Sequence, residues 1–255
     1  MLALVAGLAI AGAVLPAESA VKMDLASRFA APSTAHPLGA DELGRDLLSR
    51  LAVGAKTTVA MAVAILLLAV CLGSLLGLAA RKWPSTVGPA VRASAYLVMI
   101  APTQLLAPPW SSRILMALCC TMLVLPGALL VIGAAALFAP GPVTSVAAIG
   151  LFLVPAFAYA AIHASPASPE GGRFRPARLP LLATSALAWA ALTSIGLDYS
   201  GLGVQPPLES FGTLLRPPQS GAALPWLILP PALCVLLTGL GAFLVGDGLA
   251  PRNCA

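Results

Sequence analysis

The stretch His36-Pro37-Leu38-Gly39-Ala40-Asp41-Glu42-Leu43-Gly44-Arg45-Asp46-Leu47-Leu48-Ser49-Arg50 holds the densest charge in a chain that is otherwise nearly all hydrocarbon. Pro37 pushes His36 into an extended conformation, and Gly39 permits a tight turn. Asp41 then reads as the N-cap of a helix, accepting from free backbone N–H groups. Leu43, Leu47, Leu48 and Leu51 fall on one side of that helix. Asp41 with Arg45, and Asp46 with Arg50, are spaced to pair at i, i+4 on the other side, toward solvent or lipid headgroups. From the residues alone, this is an amphipathic connector lying at a membrane surface ahead of a spanning helix.

Working outward, composition fixes the class. Hydrophobic residues make up 59% of the 255 and charged residues 9%, and the mean hydropathy is +0.96. A water-soluble domain of this length has too little interior to hide that much apolar surface, so the expected solvent is lipid. The net charge of +5 is spread without aromatic interleaving, which argues against a nucleic-acid partner. Cys71, Cys119, Cys120, Cys234 and Cys254 lack metal-ligand spacing, and four of them sit in apolar runs as small hydrophobes. His36 and His163 are each isolated from other ligand types. No metal site is expected. Neither a nucleotide-binding Gly-x-x-x-x-Gly-Lys-Ser/Thr nor a hydrolase motif occurs, so the chain is not expected to be an enzyme.

The apolar runs predict an all-α integral membrane protein with about six transmembrane helices, near residues 1–16, 55–80, 112–139, 143–163, 179–202 and 222–245, in one domain over 1–255. The first run is short for a span of about 20 residues and is read as a spanning helix that is tilted or clipped at its start. Residues 17–54 form an extracytoplasmic loop, and 17–50 hold five of the nine acids. Within 55–80, Gly73, Ser74 and Gly77 allow a neighbouring helix to approach closely. Pro126 and Pro155 are expected to kink their helices. Residues 81–111 are an atypical insertion, interfacial or re-entrant over 89–110, where Arg92, Pro102, Pro108 and Pro109 oppose a span. With both ends cytoplasmic, Arg81, Lys82, Arg92, Arg113, Arg173, Arg175, Arg178 and Arg252 lie inside. Lys22, Arg28, Arg45, Arg50, Lys56 and Arg216 then lie outside, a mild bias in the sense of the positive-inside rule.

The string over 36–50 closely resembles the segment before the second membrane helix of the permease subunits of peptide/nickel-type ATP-binding cassette importers, the DppC/OppC/NikC-like half. Further segments in the same order are similar to that family. They are Ser111-Ser-Arg-Ile-Leu-Met through Leu125-Pro126-Gly-Ala-Leu-Leu, Pro140-Gly-Pro with Val154-Pro155-Ala-Phe-Ala-Tyr159, Gly201-Leu-Gly-Val-Gln-Pro-Pro207 with Phe211-Gly212, and Gly246-Asp247-Gly248-Leu249 with Pro251-Arg252.

The resemblance implies a type I importer permease fold in the bacterial inner membrane. It implies half of a translocation pathway for di- or oligopeptides, or for nickel or metal chelates. The partners it implies are a second homologous permease, two ATPase subunits, an extracytoplasmic substrate-binding protein and the lipid bilayer. No cofactor is bound by this chain, and ATP with Mg acts through the ATPases. The family's coupling helix between the fourth and fifth spans is degenerate here, because the prolines and paired glycines of 164–178 prevent a regular helix. Glu170, Gly171, Arg173, Arg175 and Arg178 are the candidate ATPase contacts in that cytoplasmic loop. A chain that keeps the packing but has lost coupling, a non-transporting scaffold, is the alternative.

Asp198 stands where the family usually has a small residue, so two readings are open: contact to a cationic substrate in the pathway, or a carboxylate at the outer headgroup level within reach of water. Tyr199, Gln205 and Gln104 are weaker pathway candidates.

Overall fold

A computed structural model describes residues 7–12, 22–82, 132–134, 136–163, 179–217 and 224–249. Helices dominate: α1 is Leu47–Lys82, α2 Pro142–His163, α3 Leu179–Ser200, α4 the single turn Phe211–Leu214, and α5 Pro225–Leu249. Among the described residues there is no strand, only an isolated antiparallel bridge between Ala40 and Asp46.

The longest element is α1, with 36 residues. Asp46 caps it, its Oδ2 accepting from the Ser49 backbone N–H at 2.9 Å and the Ser49 hydroxyl at 2.8 Å. One expectation is corrected here: the helix begins at Leu47 and its cap is Asp46 rather than Asp41. A helix from Asp41 is blocked because residues 40–46 fold back on themselves, Asp41 N–H donating to the Arg45 carbonyl at 3.1 Å.

Helix α1 lies along α2 because glycine removes the side chains that would separate them. A Cβ on Gly73 would stand 2.6 Å from Phe157 Cβ, and one on Gly77 would stand 2.7 Å from the Ala158 carbonyl. Between them the Ser74 hydroxyl bonds back to the Cys71 carbonyl at 3.0 Å. Ile65, Ala69, Ile149, Leu153, Phe157, Ala186, Ala190 and Leu197 form one core between α1, α2 and α3. Phe152 and Trp189 stack at its side, ring centroids 5.3 Å apart. A second core, with Leu51, Ala55, Ile195, Phe211, Leu214 and Cys234, joins the start of α1 to α3, α4 and α5.

Pro142 opens α2, where a missing N–H costs no hydrogen bond. The helix remains continuous through Pro155, and α5 does so through Pro230 and Pro231.

The outward faces are apolar. Leu75 on α1 is 63% exposed and Leu236 on α5 is 70% exposed, with Leu67, Leu229 and Leu244 similarly bare. Such continuous apolar faces suit lipid or another membrane helix, not water. Among the described residues, one helix is long and apolar enough to cross a membrane, Leu47–Ala79, with hydropathy 2.8. The insertion beyond Lys82, the third run up to residue 131 and the loop 164–178 lie outside the described residues, as does most of 1–16.

Candidate functional site: an ionic knot at the head of the first long helix

The charged stretch is neither a helix face nor a surface. Residues 36–46 form a compact plug over the start of α1, held by two left-handed glycines. Gly39 has φ +85° and Gly44 has φ +71°, a region that other residues enter only at a cost. A side chain on Gly44 would also run into the Asp24 carbonyl, and one on Gly39 into the Trp226 ring. The short 3-10 turn Leu25–Ser27, capped by Asp24, closes over the plug, with Phe29 N–H donating to the Asp41 carbonyl.

Asp41 is at the centre, 4% exposed. Its Oδ1 accepts from the N–H groups of Leu43 and Arg45, both at 2.8 Å. Its Oδ2 accepts from Arg45 Nε at 2.7 Å and Arg50 Nη1 at 2.6 Å. Arg50 also reaches Glu209, with Nη2 at 2.7 Å and Nε at 3.3 Å from Oε1. Arg45 Nη1 lies 3.7 Å from the same oxygen. Two arginines therefore face two carboxylates, and the charges cancel locally. The Asp41–Arg45 pair forms as the spacing predicts, but buried. The Asp46–Arg50 pair does not form, because Asp46 is committed to its cap and to His36 Nδ1 at 3.3 Å, while Arg50 turns inward.

The loop 201–217 brings Glu209 to this knot. Gly201, at φ +85°, ends α3, and the chain returns to place α4 against α1. Ser210 caps α4 in a reciprocal box with Thr213, and Phe211 N–H donates to the hydroxyl of buried Thr58 in α1 at 3.2 Å. Thr213 Oγ1 also donates to Glu209 Oε2 at 3.3 Å. Arg216 Nε donates to the carbonyls of Asp198 and Tyr199 at 3.0 and 3.1 Å, and its Nη2 donates to the Asp198 carbonyl as well. A guanidinium there satisfies the open carbonyls of α3 and complements its dipole.

Asp198 is 0% exposed. The expectation of a carboxylate in reach of water is therefore corrected: its Oδ1 accepts from Val204 N–H at 2.7 Å and fastens the loop to α3. A side chain on Gly203 would run into the Asp198 carboxylate, and one on Gly212 into the Ile195 carbonyl and Asp198 Cβ. Gln205 is also occupied with the loop, its amide donating to the carbonyls of Gly201 and Gly203. Tyr199 is 51% exposed. Gln104, Glu170, Gly171, Arg173, Arg175 and Arg178 lie outside the described residues. Among the described residues, no three His, Cys, Asp or Glu side chains gather as a metal-ligand set.

Glu209 completes the knot and is absent from the candidates that the sequence offered, where Arg216 figured only as an outward-lying base. A signal for it existed: between 179 and 246 the only charged residues are Asp198, Glu209 and Arg216, and charges isolated in hydrocarbon must find partners. Beside the knot is a half-open cavity of about 240 Å3, lined by Asp41, Glu42, Arg45, Arg50, Arg216 and Leu227.

A helical chain with bare apolar faces, and charges folded into a knot at one end of its long helix, is a membrane-embedded protein. No family model matches the chain, but individual relatives do. It is 30% identical over 234 residues to the di/tripeptide transport system permease protein DppC of Pseudomonas aeruginosa, covering 83% of this chain and 69% of the relative. It is 28% identical over 240 residues to the glutathione transport system permease protein GsiD of Pectobacterium atrosepticum, covering 86% and 72%. The Escherichia coli GsiD is 26% identical over 240 residues, covering 86% and 71%. The chain belongs to the DppC/OppC-like permease subunits of peptide-type ATP-binding cassette importers.

Proposed function

We propose that this chain forms half of the translocation pathway of an importer for short peptides, of the di- or tripeptide and glutathione class. The observation that carries the reading is the meeting of two motif segments, 36–50 and 201–217, in one buried ionic knot. Such a knot ties the plug and the head of α1 to the loop that follows α3. A pathway that opens alternately to either side requires helices that move as blocks rather than singly. Six spans in a type I arrangement, multi-pass in the bacterial inner membrane, are part of this proposal. So are a second homologous permease, an extracytoplasmic binding protein and two ATPases that supply ATP hydrolysis with Mg.

In this reading the knot faces the extracytoplasmic side, and the loop 164–178 meets the ATPases through Glu170, Gly171, Arg173, Arg175 and Arg178. Asp198 and Gln205 contribute by holding the outer loop in shape, and Tyr199 and Gln104 are candidates to meet substrate. Peptides rank ahead of nickel or metal chelates because the named relatives are peptide and glutathione permeases.

The test is co-purification of the chain with its ATPases, followed by ATPase turnover with and without substrate-loaded binding protein. Stimulated turnover is expected. Association without stimulation would instead identify the non-transporting scaffold. Gly172→Cys should be labelled by an impermeant reagent from the cytoplasmic side only.

A further inference from the structure

The segment ahead of the plug carries side chains that the knot does not use. Lys22, Met23, Asp24, Leu25 and Arg28 are all exposed, Met23 at 57% and Leu25 at 69%. Two bare apolar side chains thus stand between two basic ones, and neither base takes part in the knot's ion pairs. The acid among them is occupied locally: the Asp24 carboxylate accepts from the Ala26 N–H at 3.1 Å and the Ser27 hydroxyl at 2.9 Å. Arg28 lies over the Phe29 ring, 5.1 Å from its centroid. Phe29 itself has φ +55°, a left-handed conformation that is rare for a bulky residue. With Phe29 so placed, its N–H donates to the Asp41 carbonyl, and Ala40 N–H donates to the Ala30 carbonyl, both at 3.0 Å. The turn is fastened to the plug and its apolar side chains are left bare.

The position of the turn identifies what it meets. The Asp24 carbonyl lies against Gly44, four residues before Leu48, which is 36% exposed on the first turn of α1. Residues 7–12 are helical, and a Cβ on Gly12 would run into the Ala52 carbonyl. Ile10, 65% exposed, therefore stands beside the first two turns of α1. On α5, Leu229 is 59% exposed, two residues after Leu227 on the cavity beside the knot. Bare apolar side chains thus continue up to the foot of the plug, within the first two turns of α1, a rise of about 11 Å. Interfacial segments bury their apolar side chains about 5–10 Å into the boundary between headgroups and acyl chains. We infer that Lys22–Phe29 is a membrane-interface anchor: Met23 and Leu25 enter that boundary, and Lys22 and Arg28 meet the phosphates of an anionic phospholipid surface. Continuity with the apolar belt favours the bilayer over a water-soluble protein as the occupant. Such an anchor needs only a membrane-embedded chain. It is independent of the transported solute and of the side of the bilayer that the head of α1 faces.

The test attaches an environment-sensitive dye at Leu25→Cys in a chain whose five cysteines are replaced by alanine. Thr34→Cys, an exposed position nearer the plug, is the comparison. The purified permease complex is placed in nanodiscs of phosphatidylcholine, with or without phosphatidylglycerol. At Leu25→Cys the emission should shift to the blue and be quenched by lipids brominated near the glycerol end of their chains. At Thr34→Cys aqueous iodide should be the stronger quencher. With phosphatidylglycerol present, Lys22→Gln and Arg28→Gln should each lower the inserted-to-withdrawn ratio about fivefold, the factor one basic residue contributes at an anionic surface. In phosphatidylcholine alone neither should change it, whereas Met23→Gln should withdraw the dye in both lipids. In the unmodified complex, amide exchange over 22–29 should slow when phosphatidylglycerol is added. Equal iodide quenching at the two labelled positions, a ratio that ignores both charge variants, or amide exchange indifferent to phosphatidylglycerol each overturns the anchor. So does a dye shielded from iodide only after a substrate-binding protein is added, which would assign the patch to a water-soluble partner.

Discussion

Arg50 donates to Glu209 Oε1 at 2.7 Å across a sequence separation of 159 residues, while its other terminal nitrogen holds Asp41 at 2.6 Å. One guanidinium therefore couples the plug before α1 to the loop after α3. Burying such a group is a poor source of net stability, but removing one partner leaves a stranded charge and costs about 3–5 kcal/mol. Arg50→Met should lie toward the low end of that range, since its side chain keeps 12% exposure. Arg50→Met combined with Glu209→Met should recover part of the loss. A thermal-unfolding double-mutant cycle on the purified complex is expected to give a coupling of at least about 1 kcal/mol. Strict additivity would falsify the knot as one cooperative unit.

The plug also depends on backbone that only glycine accepts readily. Gly44→Ala must hold a left-handed φ, worth roughly 1–2 kcal/mol, and must push the Asp24 carbonyl aside. Gly196→Ala is the natural control, because a Cβ there meets nothing within 4 Å and alanine is the better helix former by about 0.5–1 kcal/mol. Gly44→Ala should lower the midpoint of thermal unfolding and yield less monodisperse complex. Gly196→Ala should leave it unchanged or raise it.

These contrasts mark where the sequence was legible. Long apolar runs identify α2, α3 and α5 within a few residues, since nothing competes with a helix in lipid. Gly73 and Gly77 announce a close helix neighbour, and Phe157 and Ala158 are found there. The charged stretch misleads because a spacing of four suits a helix face and a folded plug equally well. What decides between them is Gly39, Gly44 and a glutamate 159 residues after Arg50, and no local pattern contains that glutamate. Asp198 misleads for a related reason. Its place near a helix end suggests water, yet the returning loop covers it with Gly203 and Gly212.

Asp198 separates a loop-holding role from a substrate contact. Asparagine keeps an oxygen for Val204 N–H, whereas alanine leaves that buried donor unsatisfied, at about 1–3 kcal/mol. Asp198→Asn should therefore retain uptake and thermal stability close to the wild type, and Asp198→Ala should lose both together. Uptake lost in Asp198→Asn with stability intact would show that the charge itself meets the transported molecule.

Thr58 tests whether docking of α4 and integrity of the knot are one event. Its hydroxyl, 1% exposed, is the acceptor for Phe211 N–H, two residues after Glu209. Thr58→Val keeps the shape and removes the acceptor, so the buried N–H is orphaned at about 1–3 kcal/mol. Thr58→Ser keeps the acceptor and loses one methyl group. If α4 holds Glu209 against Arg50, Thr58→Val should loosen the loop 201–217 and hasten proteolysis there, while Thr58→Ser should not. Once Thr58→Val has loosened the loop, adding Glu209→Gln should destabilise the complex by less than it does in the wild type, because the ion pair is already weakened. Full additivity of the two in thermal unfolding would separate the docking of α4 from the knot and leave Arg50 and Glu209 paired by local contacts alone.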